Sequence, residues 1–277
     1  MKVESIAYSH YTGHDVVIVT EYEKVQNAFG SLLLPKQYLP SYLGGSMNRV
    51  AGDVGNLSDE KLLSSHIIEA GLPYLKKGSV VLDIGAHMGT MSMMFGRFLS
   101  LKGGGEIISV EASPQNYVCT KYNIESNSRE KVKNTVLNRV CLSVTTEEKI
   151  SFPVHNIETG LMTGQYGYVR PEEMQHGYQT LDNKEILIDL AYKVPSISID
   201  SLNLEKVDLI KIDCEGADLE VVAGGLETIG RHKPVLLIEM NNPEKRPQEM
   251  KKLISILPAG LIITPIYKKN DWLLRWD

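Results

Sequence analysis

The sequence predicts an α/β protein built on a largely parallel sheet with helices on both faces. Three observations lead there. From residue 79 onward, short apolar strands alternate with helical stretches. Four of those strands end on a carboxylate: Asp83, Glu111, Asp213 and Glu239. The chain then closes on two apolar runs, "LIITPIY" and "WLLRW", separated by the turn residues "KKND". That last pattern is a hairpin, which sets one antiparallel strand into the sheet.

Residues 1 to 22 read as an earlier hairpin, "VESIAYS" and "DVVIVTE" flanking the turn "HYTGHD". Residues 30 to 57 hold Pro, Gly and Tyr without a period and read as irregular. A helix is expected over "SDEKLLSSHIIEAGLPYL", with Ser58 as its N-cap and acids in its first turn. "SVVLDIG" is then a strand, and a helix follows from about Gly89 to Leu101. "EIISVEAS" is the second strand, and "PQNYVCTKYNIES" a helix with proline at its start. "VKNTVLN", "KISFPV", "VPSISID", "VDLIKID" and "PVLLIEM" read as strands; "ADLEVVAGGLETIG" and "PEKRPQEMKKLISIL" read as helices. Residues 155 to 193, rich in Gly, Tyr, Gln and His, break this rhythm. A stretch of that length inside a compact domain is expected to be an active-site cover or a disordered insert, and the cover is the reading taken here. The domain reading is therefore an amino-terminal hairpin and irregular extension over 1–57, and a main domain over 58–277 with an inserted cover at 155–193.

Composition narrows the classes. With 43% hydrophobic residues in 277, the chain can bury a sizeable core. Twenty-nine basic against 34 acidic residues give a net charge of −5, which argues against a broad nucleic-acid or anionic-membrane footprint. Cys119, Cys141 and Cys214 are scattered, with no paired metal spacing, and read as reduced thiols. No signal-like segment opens the chain and no apolar run is long enough for a membrane, so a cytoplasmic protein is expected.

The chemistry is expected at the carboxyl ends of the strands, where open α/β sheets bind ligands. In "VLDIGAHMGT", Asp83 ends the strand and Gly85 and Gly89 leave backbone bare at the start of a helix. Glu111 closes the next strand, where an acid can accept both ribose hydroxyls of a nucleoside. A dinucleotide turn needs G-x-G-x-x-G to seat a pyrophosphate. This turn, G-A-H-M-G, lacks the middle glycine and suits a ligand without phosphates, S-adenosylmethionine, whose ammonium Asp83 would hold. The candidate cofactor contacts are Asp83, Gly85, Ala86, His87, Met88, Gly89, Glu111, Ala112, Asn138 and Asp213.

"VLDIGAHMGTMSMMF", "SVEASPQNYVCTKYNIESN", "VDLIKIDCEGADLEVVAGGLETI" and "PVLLIEMN" resemble the successive motifs of the FkbM-type methyltransferases. The resemblance spans about residues 60 to 240. It implies a class I methyltransferase fold, Rossmann-like, with a seven-stranded sheet and an antiparallel last strand. It also implies methyl transfer from S-adenosylmethionine, usually to a hydroxyl oxygen of a sugar, polyketide or other secondary product. His87 departs from the family, which commonly has asparagine there.

An alcohol acceptor must lose its proton, so a base is expected near the methyl group. Asp213, Glu215 and Glu239 are the catalytic candidates. Alternatively, Glu215 caps the following helix and Glu239 pairs with Lys211. Clustered carboxylates can hold Mg²⁺ or Ca²⁺, but no feature requires a metal. His10, His14 and Asp15 are expected in an exposed turn, and Met88, Met91, Met93 and Met94 in packing, with Met88 also beside the adenosine. Two other functions are the alternatives: an NAD-binding oxidoreductase, opposed by the missing middle glycine and the terminal hairpin, and a non-catalytic cofactor-binding module on the same fold. The partner expected is a small-molecule or glycan acceptor.

Overall fold

A computed structural model describes residues 1–9, 14–27, 30–36, 66–153, 178–179, 185–186, 190–214, 217–240, 246–266 and 271–277. The amino-terminal hairpin forms from β1 (Lys2–Ser9) and β2 (Asp15–Asn27), and a third strand, β3 (Gly30–Pro35), pairs with β2. Thus 30–35 is sheet, not irregular. Leu32, Leu33 and Leu34 are all buried, so the strand shows no alternation by which a half-exposed strand is read.

Helix α1 (His66–Gly71) leads into β4 (Ser79–Ile84), α2 (Thr90–Lys102), β5 (Gly105–Glu111), α3 (Pro114–Ser126) and β6 (Val132–Asn138). The expected N-cap, Ser58, lies outside the described residues. Next come β7 (Val140–Cys141), β8 (Thr146–Pro153), β9 (Tyr178–Gln179), β10 (Glu185–Ile186) and β11 (Leu190–Ile197). The expected cover at 155–193 falls mostly outside the described residues, but its last four positions belong to β11. The remainder is β12 (Leu209–Ile212), α4 (Asp218–Ala223), α5 (Leu226–His232), β13 (Val235–Glu239), α6 (Arg246–Ile256), β14 (Leu261–Pro265) and β15 (Asp271–Trp276).

The main sheet has seven strands in the order β14-β15-β13-β12-β4-β5-β6. From β6 to β13 all neighbours are parallel, whereas β15 runs antiparallel to both β13 and β14. The terminal hairpin therefore supplies the one reversed strand. Adjacent residues along each strand point to opposite faces, and the core divides accordingly. Leu82, Ile108, Ile210, Leu236 and Leu274 pack with Val221, Ile229 and Leu253 on one face. Val81, Ile107, Leu209, Leu237 and Leu273 pack with Ile68, Phe95 and Leu99 on the other.

A second sheet runs β3-β2-β1-β11-β7, with β8 on β11. The amino-terminal strands are thus joined to the strand that follows the inserted segment. They also lie against α3: Tyr22 donates its hydroxyl to the Gln115 carbonyl, and Gln115 donates its amide to Thr20. Asn123 holds Leu33 by both its N–H and its carbonyl. Among the described residues no helix is long and apolar enough to cross a membrane.

Candidate active site

Face parity assembles the site. Counting by twos from Val81, Ile107, Leu209, Leu237 and Leu273 places Asp83, Glu111, Lys211, Glu239 and Asp271 on the face shared with α1 and α2. Register then aligns them across strands: Lys211 lies opposite Asp83, Asp83 opposite Ser109, and Glu239 opposite Asp271. All of them sit at the carboxyl edge of the parallel strands.

The turn after β4 is set by its own chain. Gly85 and Gly89 have φ of 76° and 80°, in the left-handed region where glycine carries no penalty. A Cβ on Gly85 would run into the carbonyl oxygen of Asp213, and one on Gly89 would press on Thr120 and Ile124 of α3. What approaches the bare backbone is therefore the end of β12 on one side and a helix on the other. Between them His87 also has a positive φ, 52°. Its N–H donates to Glu111 Oε2 at 2.7 Å, and its carbonyl accepts from the Thr120 hydroxyl. The Met88 carbonyl accepts from Asn123 at 2.9 Å.

Lys211 is the centre of the edge. Its side chain is 4% exposed, and Nζ lies 3.3 Å from Asp83 Oδ1 and 3.5 Å from Asp213 Oδ2. It also donates to the Gly85 carbonyl at 2.8 Å. Burial acts to lower the Lys211 pKa, but Asp83 and Asp213 outweigh it and raise it, so the ammonium stays charged. Asp83 is fully buried and receives the Ser92 hydroxyl at 2.5 Å; Ser92 in turn meets Ser109 at 2.7 Å. The ammonium expected on Asp83 is thus already present, and it belongs to Lys211.

Asp213 differs. Its side chain is 32% exposed, so it reaches solvent, as Asp83 does not. Burial acts to raise its pKa; Lys211, a hydrogen bond with Glu239 and the nearby His87 together overcome this and hold it below the usual aspartate value. His87 is held neutral, its pKa lowered to about 4 by burial and by Lys211 against the opposing charge of Asp213. Asp213, Glu239, Asp271, Lys211, Ile67 and Ile266 line a crevice too tight to admit a water molecule. Burial and the charge of Asp213 push Asp271 up to about 6, with Lys211 and His66 opposing. Among the described residues no group of three or more His, Cys, Asp or Glu is arranged to hold a metal ion.

Residues 83–260, well over half of the chain, match the model of the methyltransferase FkbM domain. The chain belongs to the FkbM methyltransferase family. Comparison with curated proteins by sequence gives no match. Among solved structures, an FkbM methyltransferase of Methylobacillus flagellatus is similar at 14% identity and a TM-score of 0.45, covering 87% of this chain and 61% of that one. A methyltransferase of Podospora anserina bound to S-adenosylhomocysteine is similar at 14% identity and a TM-score of 0.43, covering 88% and 89%. A methyltransferase of Aquifex aeolicus dependent on S-adenosylmethionine gives 13% and 0.40, covering 79% and 93%.

As an FkbM methyltransferase the chain takes S-adenosylmethionine as methyl donor, and the residues around Glu111 fit a ribose. Glu111 accepts N–H groups of His87 at 2.7 Å and Ser113 at 2.9 Å, and is also held by the Asn116 side chain. A carboxylate offers about four acceptor positions, so room for a hydroxyl remains. Beside it, Asn116 Oδ1 is buried without a hydrogen-bond partner among the described residues, an acceptor suited to a second hydroxyl. Burial pushes the Glu111 pKa up to about 7, against the opposing pull of the Ser113 and His87 N–H groups, Lys211 and Asn116.

Other expectations resolve less directly. Met88 is buried with Tyr22, Leu33, Leu34 and Cys119, under the amino-terminal strands and not free for an adenosine. Asn138 spends its amide donors on the Glu111 and Ala112 carbonyls, so it braces the Glu111 turn from beneath. Ala86 donates its N–H to the Val110 carbonyl of β5, and Ala112 packs beside Val140 and Ala217. Glu215 lies outside the described residues, and the following helix has no side-chain cap at Ala217. His14 and Asp15 are exposed as expected; His10 lies outside the described residues. Lys211 turns to Asp83 and Asp213, while Glu239 engages Asp213.

Sequence reasoning missed three residues: Lys211 as the hub, Asn116 and Asp271. A lysine inside an otherwise apolar strand, "LIKI", was a readable signal. Asp271 was readable too, because the first residue of an antiparallel strand lies at the edge where parallel strands end.

Proposed function

We propose that this chain transfers the methyl group of S-adenosylmethionine to a hydroxyl oxygen of a sugar, polyketide or other small secondary product. When bound, the cofactor supplies an electrophilic methyl group on a sulfonium. Glu111 and Asn116 would hold the ribose hydroxyls, and the 85–89 turn would carry the amino-acid end. Asp213 would orient the acceptor hydroxyl and take its proton, with Glu239 donating a hydrogen bond that steadies it. Asp271 and the apolar wall of Ile67 and Ile266 would line the acceptor side. The segment 155–193 is the proposed source of further acceptor contacts.

One observation carries this reading. Across three neighbouring strands the edge presents a ribose-type acid at Glu111, a tight turn after Asp83, and a part-exposed carboxylate held ionised at Asp213. In-line methyl transfer needs little beyond alignment and a place for the proton, and this order supports such a reading. The test is incubation with methyl-labelled S-adenosylmethionine and parallel panels of alcohol and amine acceptors. Label entering hydroxyl acceptors, with S-adenosylhomocysteine released in equal amount, supports O-methylation. Label entering amines only would replace it with N-methylation.

A further inference from the structure

Lys211 does more than neutralise a buried acid. Its ammonium forms an ion pair with Asp83 at 3.3 Å within β4, donates to the Gly85 carbonyl at 2.8 Å in the turn, pairs with Asp213 at 3.5 Å past β12, and also meets the Ile84 carbonyl at 3.5 Å at the end of β4. Neutralising Asp83 requires only the first. The second and third contacts tie the turn to the end of β12, where the Asp213 carbonyl already presses on Gly85. Burying a lysine inside a strand costs several kcal/mol of lost hydration, so a solely structural site would be served as well by an apolar pair.

We propose that Lys211 is a positioning residue for methyl transfer, its ammonium fixing the cofactor turn and the Asp213 carboxylate at one separation. The inference rests on the reading of Asp213 as proton acceptor. The groups facing Asp213 are Lys211 on β12, His87 from the turn, Glu239 on β13, Asp271 on β15 and the neighbouring Cys214. Lys211 carries the one positive charge in this set at neutral pH, His87 being neutral. Asp213 accepts a proton only when ionised, so activity rises as pH climbs through its pKa. Removing the lysine removes a cause that holds this pKa down, and that limb moves to higher pH.

The experiment uses the charge-neutral exchange Asp83→Asn with Lys211→Met, which leaves no buried charge unpaired at β4. Thermal melting checks folding. In the doubly substituted protein, S-adenosylhomocysteine affinity is expected to fall about tenfold, the equivalent of one lost hydrogen bond of ~1.4 kcal/mol. Single-turnover methyl transfer is expected to fall about a hundredfold or more. The Asp213 carboxyl, followed by carbon-13 NMR and assigned with Asp213→Asn, is expected to titrate at higher pH than in the native protein. A folded double variant with native affinity and an unmoved Asp213 titration would overturn the proposal and leave Lys211 as a counter-ion of Asp83 alone. The NMR readout needs neither cofactor nor acceptor. If Asp213→Asn turns over normally, the proton-acceptor reading fails, whereas the Lys211–Asp213 coupling is still judged by the titration. If the double variant does not melt cooperatively, Lys211→Arg decides. It keeps the charge but not the three-way geometry, so weakened affinity with the Asp213 titration in place supports positioning, and native affinity and rate overturn it.

Discussion

The two halves of the sheet's carboxyl edge use the same residue types to opposite ends. On the β4–β5 side, Asp83 and Glu111 are 0% and 6% exposed and held by protein donors on both oxygens or by an ion pair. On the β12–β13–β15 side, Asp213, Glu239 and Asp271 line a tight crevice with apolar walls, and the Asp213 side chain is 32% exposed. Lys211 stands at the boundary and touches both. The difference teaches that a strand-ending acid is not by itself a functional residue. Its role follows from how much of its hydrogen-bonding capacity the fold has already taken.

The comparison can be broken first at Asp83. If that carboxylate is structural, Asp83→Ala leaves Ser92 and Lys211 short of a partner in the core. A loss of about 3–5 kcal/mol is expected, the scale for breaking a buried pair, read as a lowered urea midpoint. A variant of native stability would show that Asp83 is spare and return it to the ligand.

On the open side, Asp213→Asn should keep the shape and lose the basicity. Single-turnover transfer is expected to drop ~10²–10⁴-fold. Turnover near native would place the proton acceptor elsewhere, with Glu239 next in line.

Glu111 sharpens the comparison through pH. Its pKa, raised to about 7 by burial despite its backbone donors, means the folded state holds a proton that the unfolded chain has lost above about 4.5. Its contribution to stability is therefore fully present below about pH 4.5 and lost as pH rises to about 7. Ribose hydroxyls donate to the ionised form, so S-adenosylhomocysteine affinity should rise as pH climbs from about 6 to 8, with proton release on binding. Calorimetry in buffers of different ionisation enthalpy measures that release; a pH-independent affinity would separate Glu111 from the ligand.

The smallest effect is expected at His87. Its φ of 52° is a conformation that asparagine also tolerates, unlike a β-branched residue. His87→Asn should change S-adenosylhomocysteine affinity little, and His87→Val should weaken it markedly. Equal losses would mean that the imidazole itself, and not the backbone it permits, matters to binding.

Much of this was legible in the sequence. The alternation from residue 79, the terminal hairpin and the four strand-ending acids gave the sheet and the edge where its acids gather, because burial of both faces enforces apolar strands and leaves acids at their ends. What was not legible was partnership. Gly85 looks the same whether a ligand or the Asp213 carbonyl approaches it, and Asp83 looks the same whether its ammonium comes from a cofactor or from Lys211. Nor could local pattern show that β1, β2 and β3 share a sheet with β11, since that pairing joins residues such as Ala7 and Tyr192. Asp271 was read as a turn because only the direction of β15 brings it to the active edge.

The central claim is that the edge divides into a cofactor half at Glu111 and an acceptor half at Asp213. Calorimetric titration of S-adenosylhomocysteine into Glu111→Ala and Asp213→Asn, side by side, tests it without knowledge of the acceptor. The expected result is a loss of ~1.5–3 kcal/mol in Glu111→Ala with near-native affinity in Asp213→Asn. Native affinity in Glu111→Ala, or a larger loss in Asp213→Asn than in Glu111→Ala, would contradict it.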